Sequence, residues 1–569
     1  MSRAGLHVFL IAALAFQAGS FIVLHSNTVD EMAYVGSGAS YLHSGRLDID
    51  IFEHPPLMKY LIGLALLPVS GSFPYFSEAA QLGSYQFGYR FIYRNPQAPP
   101  ERIMVLARLP SLMLSMLLAL FVFLWASRWY GPQGGALALA AYCFEPNLIA
   151  HSGLATFDLG LSCFLLIGTY FLIRWIADGK LEQSVAAGLA AGGAVATKIP
   201  GLIYFLWSPC LLLLSPLPWR KHSKTLWAIP LTAALLILAL YQLRFLPAFA
   251  ELFRYRLEQT FYPAPADMDP VFLHGAIRPG GWRSYFLTAF AVKTTIPFLV
   301  LFLWAALASH DRRQLWTLLL PPALYLFVAS FASKQGGLRY VLPIIPFLCV
   351  LIGGLAKQSR APQRILAVAL IAWSALECAF VYPHYLGYFN ELAGGSRNGH
   401  AWFWDSNVDW GQDMPLIGRY LRDHGSPEVI VASAFNASRD YYLGQRQDLV
   451  AAPGYAEDYT HINSSRPARE LFVISAVLLD GLMMNDPNTF AWLKSRPPLD
   501  RIGYSTLVYD VSRDAASHFY FGLIYRNNRR YDYALREFRR AADIEPKNPL
   551  AAEAVRQTLA MMGKSGARP

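Results

Sequence analysis

The stretch "IDIFEHPPLMK" crowds Asp50, Glu53, His54 and Lys59 around Pro55 and Pro56, at the head of an apolar run too short to cross a bilayer. Upstream, "VDE" sets Asp30 beside Glu31; downstream, "AHSGLATFD" brings His151 close to Asp158, which heads an otherwise apolar helix. Single cations follow: Lys198 in "ATKIPG", Lys293 in "FAVKTTIPF" and Arg339 in "RYVLPIIP". Ionisable residues at membrane depth are costly unless they face a cavity or one another, which makes them functional candidates. If one surface gathers them, they form a pocket of mixed charge. Plainer roles compete: Lys293 and Arg339 as snorkelling cations, His151 as a helix-end polar group, Glu145 and Pro146 as helix punctuation.

The elements that must position these groups are apolar helices. Of 569 residues, 54% are hydrophobic and only 15% charged, and the apolar residues come in long blocks, which excludes a soluble globule. The mean hydropathy is +0.30. Cys143, Cys163, Cys210, Cys349 and Cys378 all lie in apolar blocks without metal-ligand spacing, so they read as packed thiols. The first block reads as an uncleaved helix rather than a signal peptide. About eleven spans are expected: 7–25, 103–127, 134–150, 159–176, 183–198, 200–215, 226–243, 285–308, 316–331, 339–356 and 363–382. With the N-terminus cytoplasmic, the alternate short loops carry Arg128; Arg174 and Lys180; Arg220, Lys221 and Lys224; Arg312 and Arg313; and Lys357, Arg360 and Arg364. That satisfies the positive-inside rule and accounts for part of the net charge of +10. It also puts the outer loop 26–102, the connections 151–158, 244–284 and 332–338, and everything after about 383 on the opposite face. Every candidate group then lands on that outer face, with 57–70 as a helix at or dipping into the interface.

At these residues the chain resembles the C-type glycosyltransferases that use polyprenyl-phosphate sugars. The carriers are "VDE", "FEHPPLMKYL", "RLPSLML", "AHSGLATFD", "TKIPG" and "RYVLPIIP", over about residues 1–385. The motifs look like those of protein O-mannosyltransferases and bacterial aminoarabinose transferases. His54 stands where the latter carry Lys, while Lys59 fits the mannosyltransferase pattern. The resemblance implies a GT-C-like helical fold and inverting transfer of a sugar to an acceptor hydroxyl of a protein, glycolipid or polysaccharide. A carboxylate must deprotonate that hydroxyl. Asp30 is the expected base, with Glu31 and Asp158 as the other catalytic candidates. Lys59, Lys198, Lys293 and Arg339 are expected on the donor phosphate, and Glu53, His54 and His151 are expected to shape the site. No cofactor is certain. A divalent metal is possible, though Glu53 and His54 alone are too slight to assert one.

Beyond the spans, 384–515 mixes polar residues with short β-like runs and reads as an outer mixed α/β domain. Its head, "WFWDSNVDWGQDM", offers Trp404, Asp405, Asn407, Asp409 and Trp410 as a sugar or acceptor surface, or else as a loop anchored by interfacial tryptophans. Residues 516–569 resemble one tetratricopeptide repeat, in Gly522, Tyr525, Tyr531, Ala534, Phe538, Ala541 and Pro546. One repeat cannot bury its own faces, so it must pack on the preceding domain or on a protein partner. Its two basic clusters, Arg526, Arg529 and Arg530, then Arg536, Arg539 and Arg540, read as a solvated face or as an attraction for anionic headgroups or an acidic protein. The expected whole is a bacterial inner-membrane enzyme with its C-terminus periplasmic, a lipid-linked donor and membrane lipid as partners, and no nucleic acid. A transporter or flippase is the alternative, though no repeated half of the kind transporters carry is visible.

Overall fold

The computed structural model describes residues 3–47, 49–215, 219–264, 268–357, 360–434, 438–450, 461–481, 484 and 486–565. The chain forms two compact units, one of Met1–Leu24 with Asp30–Asn407, the other of His25–Val29 with Val408–Pro569. The first unit is helical. It begins with α1 (Arg3–Leu24), α2 (Val29–Ser44), α3 (Leu57–Leu66), α4 (Ala79–Tyr93), α5 (Pro100–Cys143), α6 (Pro146–Ser152), α7 (Asp158–Asp178) and α8 (Leu181–Thr197).

The loop expected over 26–102 therefore carries three helices, and glycines decide how they pack. A Cβ on Gly63 of α3 would sit 2.3 Å from the Gly38 carbonyl oxygen of α2, and one on Gly88 of α4 would sit 1.8 Å from that of Met32. Only bare backbones can cross so closely. Both α3 and α4 are thus seated directly on α2, whose first turn holds Asp30 and Glu31.

The expected spans 103–127 and 134–150 merge into α5, broken at Gly131, which takes φ 80° ahead of Pro132. Glu145 then caps the separate helix α6, accepting from the Leu148 amide at 2.7 Å, which is the punctuating role. The straight span expected over 285–308 is bent by 110° between Tyr285–Lys293 and Ile296–Ala308. Thr295 caps the second piece, and Asn390 donates to the freed carbonyls of Ala291 and Thr294 at 2.7 Å each. Among the described residues, five helices are long and apolar enough to cross a membrane, or up to six with the bent pair, fewer than the eleven expected. Pro200 and Pro343 stand at the starts of two shorter apolar pieces, Ile199–Leu214 and Ile344–Lys357, where a residue without a backbone N–H is tolerated. The chain remains a helical multi-pass membrane protein.

In the second unit, β3 (Glu428–Ala432), β4 (Gln447–Asp448), β5 (Glu470–Ser475), β6 (Asp500–Ile502) and β7 (Thr506–Asp510) form a mixed sheet ordered β4-β3-β5-β7-β6, where β1 (Pro270–Leu273) and β2 (Ala276–Pro279) are a hairpin of the first unit. The strands β3, β4 and β5 run parallel, and β7 is antiparallel to β5. Met414, Ile417 and Leu421, on one stripe of helix Met414–Asp423, pack on Val429, Val431, Leu471 and Val473. The opposite face meets the tail: Phe472 lies 4.7 Å from Phe521 of helix Ala515–Asn527, and Tyr525 donates to the Asp448 carbonyl at 2.8 Å. The tail thus buries a face on the sheet of its own chain.

Candidate active site

The first turn of α2 splits its two acids. Asp30 faces Arg339 at 3.0 Å, with the Tyr34 and Tyr85 hydroxyls at 3.4 and 3.5 Å. Glu31 turns the other way. Its oxygens take the Arg108 guanidinium side-on at 2.8 Å each, and one also accepts from the Ala155 amide at 2.7 Å. Arg108 and Glu31 are both fully enclosed, and Arg108 donates to the Ile22 carbonyl as well. Adjacent residues on a helix point about 100° apart, so one acid reaches the cluster while the other joins α1, α2, α5 and the turn before α7. The catalytic candidacy of Glu31 does not fit this geometry.

Asp158, in the first turn of α7, holds Lys198 at 2.6 Å, just where α8 ends. The Lys198 ammonium lies 4.5 Å from the centre of the Tyr340 ring, next in chain to Arg339, so the two cation–carboxylate pairs adjoin. The fields of both Asp30 and Asp158 reach Arg339. His151 is buried nearby, its Nδ1 without a hydrogen-bond partner among the described residues. Each carboxylate of the cluster faces a cation, rather than the two converging on one point as a metal site would require.

His54 closes a wall of rings, 4.6 Å from Phe157 and 5.8 Å from Tyr34. Burial, with Arg256 and other cations nearby, holds its imidazole well below its ordinary pKa, so it stays neutral. Glu53 is half-exposed and pairs with Arg256 of helix Leu246–Phe261, whose guanidinium also takes the Glu53 carbonyl. Nothing in "ELFRYRLEQTF" singles out Arg256 from its charged neighbours, because its partner lies far away in sequence.

Two expected phosphate ligands are occupied elsewhere. Lys59 is fully enclosed, bound to the Asp50 carboxylate at 2.8 Å and to the Asp50 and His54 carbonyls at 2.5 and 2.9 Å. All three of its donors are used to tie the charged loop onto α3. Lys293 is buried and donates to the carbonyls of Leu386 and Asn407 at 2.9 and 2.6 Å, under the Phe389 ring. It anchors the segment after the last span.

That segment explains part of "DSNVDWGQD". Asn407 accepts from the Leu338 amide at 3.1 Å and donates to the Tyr285 hydroxyl at 3.2 Å, while Ser406 donates to the Gly336 carbonyl at 2.7 Å. Arg339 Nε bonds the same carbonyl at 3.1 Å. Gly337 takes φ 95°, and a Cβ there would sit 2.7 Å from Ser406 Oγ. The turn carrying Arg339 is therefore clamped by 405–407. Trp404 is buried and stacked 4.4 Å from Phe272. Asp409 and Trp410 belong to the second unit, where Asp409 accepts from Ser475 and the Gly411 amide and Trp410 is buried. The five residues do not form an exposed sugar-stacking surface, because both indole rings are spent on packing.

Residues 7–261 match the family described as dolichyl-phosphate-mannose-protein mannosyltransferase. That range holds Asp30, the "FEHPPLMK" loop, Asp158, Lys198 and Arg256, and it bears out the resemblance to the O-mannosyltransferases. No curated protein matches. Among solved structures the chain is similar to ArnT from Cupriavidus metallidurans bound to undecaprenyl phosphate, at 15% identity and TM-score 0.45 over 89% of this chain and 98% of that one. It is similar also to the S. cerevisiae Pmt1–Pmt2 complex bound to the sugar donor, at 19% identity and TM-score 0.31 over 45% and 34% of the respective chains. The Archaeoglobus fulgidus oligosaccharyltransferase is a further likeness, at 11% identity and TM-score 0.45 over 82% and 69%.

Proposed function

We propose that this protein transfers a sugar from a polyprenyl-phosphate donor to an acceptor hydroxyl, with inversion, at the surface of the membrane where α2 begins. The observation that carries the reading is the Asp30–Arg339 pair beside Asp158–Lys198: two carboxylates and two cations, held by α2, α7, the end of α8 and the clamped turn 336–339. The match of residues 7–261 to the mannosyltransferase family supports it.

In this reading Asp30 takes the proton of the acceptor hydroxyl as its oxygen attacks the anomeric carbon. The bond from that carbon to the phosphate oxygen breaks, and the pair of electrons leaves with the polyprenyl phosphate. Arg339 and Lys198 neutralise the departing phosphate. Donor phosphate competing for Arg339 would draw the guanidinium away from Asp30 and leave that carboxylate free to face the acceptor hydroxyl. Asp158 holds Lys198 in place between turnovers, and the neutral His54 lines the wall. In the same reading the protein is a bacterial inner-membrane enzyme with a cytoplasmic N-terminus and a periplasmic C-terminus.

The test is incubation of the detergent-purified full chain with radiolabelled polyprenyl-phosphate sugars and hydroxyl acceptors. Release of polyprenyl phosphate that depends on Arg339 supports the reading. Donor binding without any release or transfer, across donors and acceptors, would turn the reading toward a lipid-linked-sugar transporter.

A further inference from the structure

A second polar pocket lies near the other end of α7 from Asp158. The helix runs 21 residues, about 31 Å at the usual rise, close to the thickness of a bilayer's hydrocarbon core. Asp158 opens it, and Arg174 lies about 24 Å further along its axis. There Arg174 meets Arg128 of α5 and Arg313 at the start of helix Arg312–Ala329, around a cavity of about 210 Å³. Trp125, Trp129 and Tyr170 form its aromatic wall, with Trp125 lying 5.4 Å from Trp129 and 5.8 Å from Tyr170.

Charge in this pocket is unbalanced. Three guanidiniums line it against one carboxylate, Asp311, which caps its own helix by accepting from the Gln314 amide at 3.1 Å. Arg174 reaches Asp178 only at 3.8 Å, and its Nε is buried without a hydrogen-bond partner among the described residues. A buried guanidinium N–H without an acceptor costs free energy that an anionic oxygen would recover.

We propose that this pocket binds the phosphate of an anionic membrane phospholipid. The lipid source follows from the surroundings. The pocket lies near the opposite end of a membrane-length helix, and the helices that line it carry exposed apolar side chains next to its lining in sequence, Leu124 before Trp125 at 38% and Trp316 three residues after Arg313 at 54%. Acyl chains can lie against those faces while the phosphodiester enters between the arginines, and the tryptophans and tyrosine suit the interface. The site is separate from Asp30 and Arg339, so it would anchor and level the helix bundle whatever the enzyme transfers.

The test is native mass spectrometry of the full chain in an uncharged detergent, titrated with phosphatidylglycerol or phosphatidylcholine. Phosphatidylglycerol should be retained at least about tenfold more tightly, and Arg128→Gln/Arg174→Gln/Arg313→Gln should abolish the preference, while Arg278→Gln/Arg283→Gln should keep it. If the triple variant does not fold, Arg174→Lys, which keeps the charge but loses the fork, should still weaken retention about threefold or more. Equal retention of both lipids, an unchanged preference in the triple variant or in Arg174→Lys, or displacement by glycerol 3-phosphate at lipid-equivalent concentration would overturn the proposal.

Discussion

Two clusters in this protein are built from the same parts, two carboxylates and two basic groups; Asp158 and Lys198 are buried like the second-unit network, and the clusters differ in access at the Asp30–Arg339 pair. In the second unit, Glu470, Glu537, His518 and Arg536 are almost wholly enclosed. Glu537 takes His518 at 2.6 Å, Arg536 at 2.7 Å and Gln447 at 2.5 Å; Glu470 takes Arg536 at 2.8 Å and Asn463 at 2.7 Å. These bonds fasten helices Ala515–Asn527 and Tyr531–Ile544 to β5. Arg536 therefore belongs to the interior, not to the solvated face its sequence suggests. In the first unit, Asp30 keeps 19% of its side chain exposed and Arg339 11%, and the tyrosine contacts to Asp30 sit at the far limit of hydrogen bonding. A closed network fixes a fold, whereas a looser, accessible one can exchange partners with a substrate.

The sharpest way to break this comparison is Asp30→Asn. Sugar transfer should fall about 10²–10⁴-fold, the usual worth of positioned proton transfer, with donor retention kept or strengthened because Arg339 loses a competitor. Single-turnover transfer and a donor-binding titration separate the two effects. A collapse in folded yield instead would make Asp30 structural, like Glu537.

Glu537→Gln should do the reverse. Removing one partner from a buried ionic network costs about 3–5 kcal/mol, so thermal unfolding of the second unit should move down steeply while turnover per folded molecule holds. Lost turnover in fully folded protein would mean that the enclosed network has a role in catalysis.

Asn407→Ala removes the acceptor of the Leu338 amide beside Arg339. The expected cost is about 1–3 kcal/mol, read mainly as weaker donor binding, and Asn407→Asp, which keeps that acceptor, should restore most of it. Equal damage from both variants would argue against a clamp on the arginine turn.

The smallest effect belongs to His54. Its folded pKa lies below its ordinary value, so the unfolded chain binds the proton first as pH falls. Stability should be full above the unfolded pKa of about 6.5 and decline below it, and His54→Gln should flatten that decline in melting curves taken between about pH 7 and 5. A variant with the same slope as the wild type would remove His54 from the ring wall.

Sequence alone determined the membrane class and the family resemblance, because apolar blocks and the motifs "VDE", "FEHPPLMK" and "TKIPG" are local patterns that survive without coordinates. It also marked Asp30, Asp158, Lys198 and Arg339, since a charge in an apolar setting is conspicuous in one dimension. Only the tertiary structure decided what each charge faces. Glu31 and Asp30 read alike, yet helical phase sends one to Arg108 and the other to Arg339; Lys59 and Lys293 read like Lys198, yet carbonyls and Asp50 consume them. The partners lie 77 residues apart for Arg108 and Glu31 and 309 for Arg339 and Asp30. No periodicity encodes such distances: a pairing of that range exists only once glycine-to-glycine crossings and a clamped turn have brought the helix ends together.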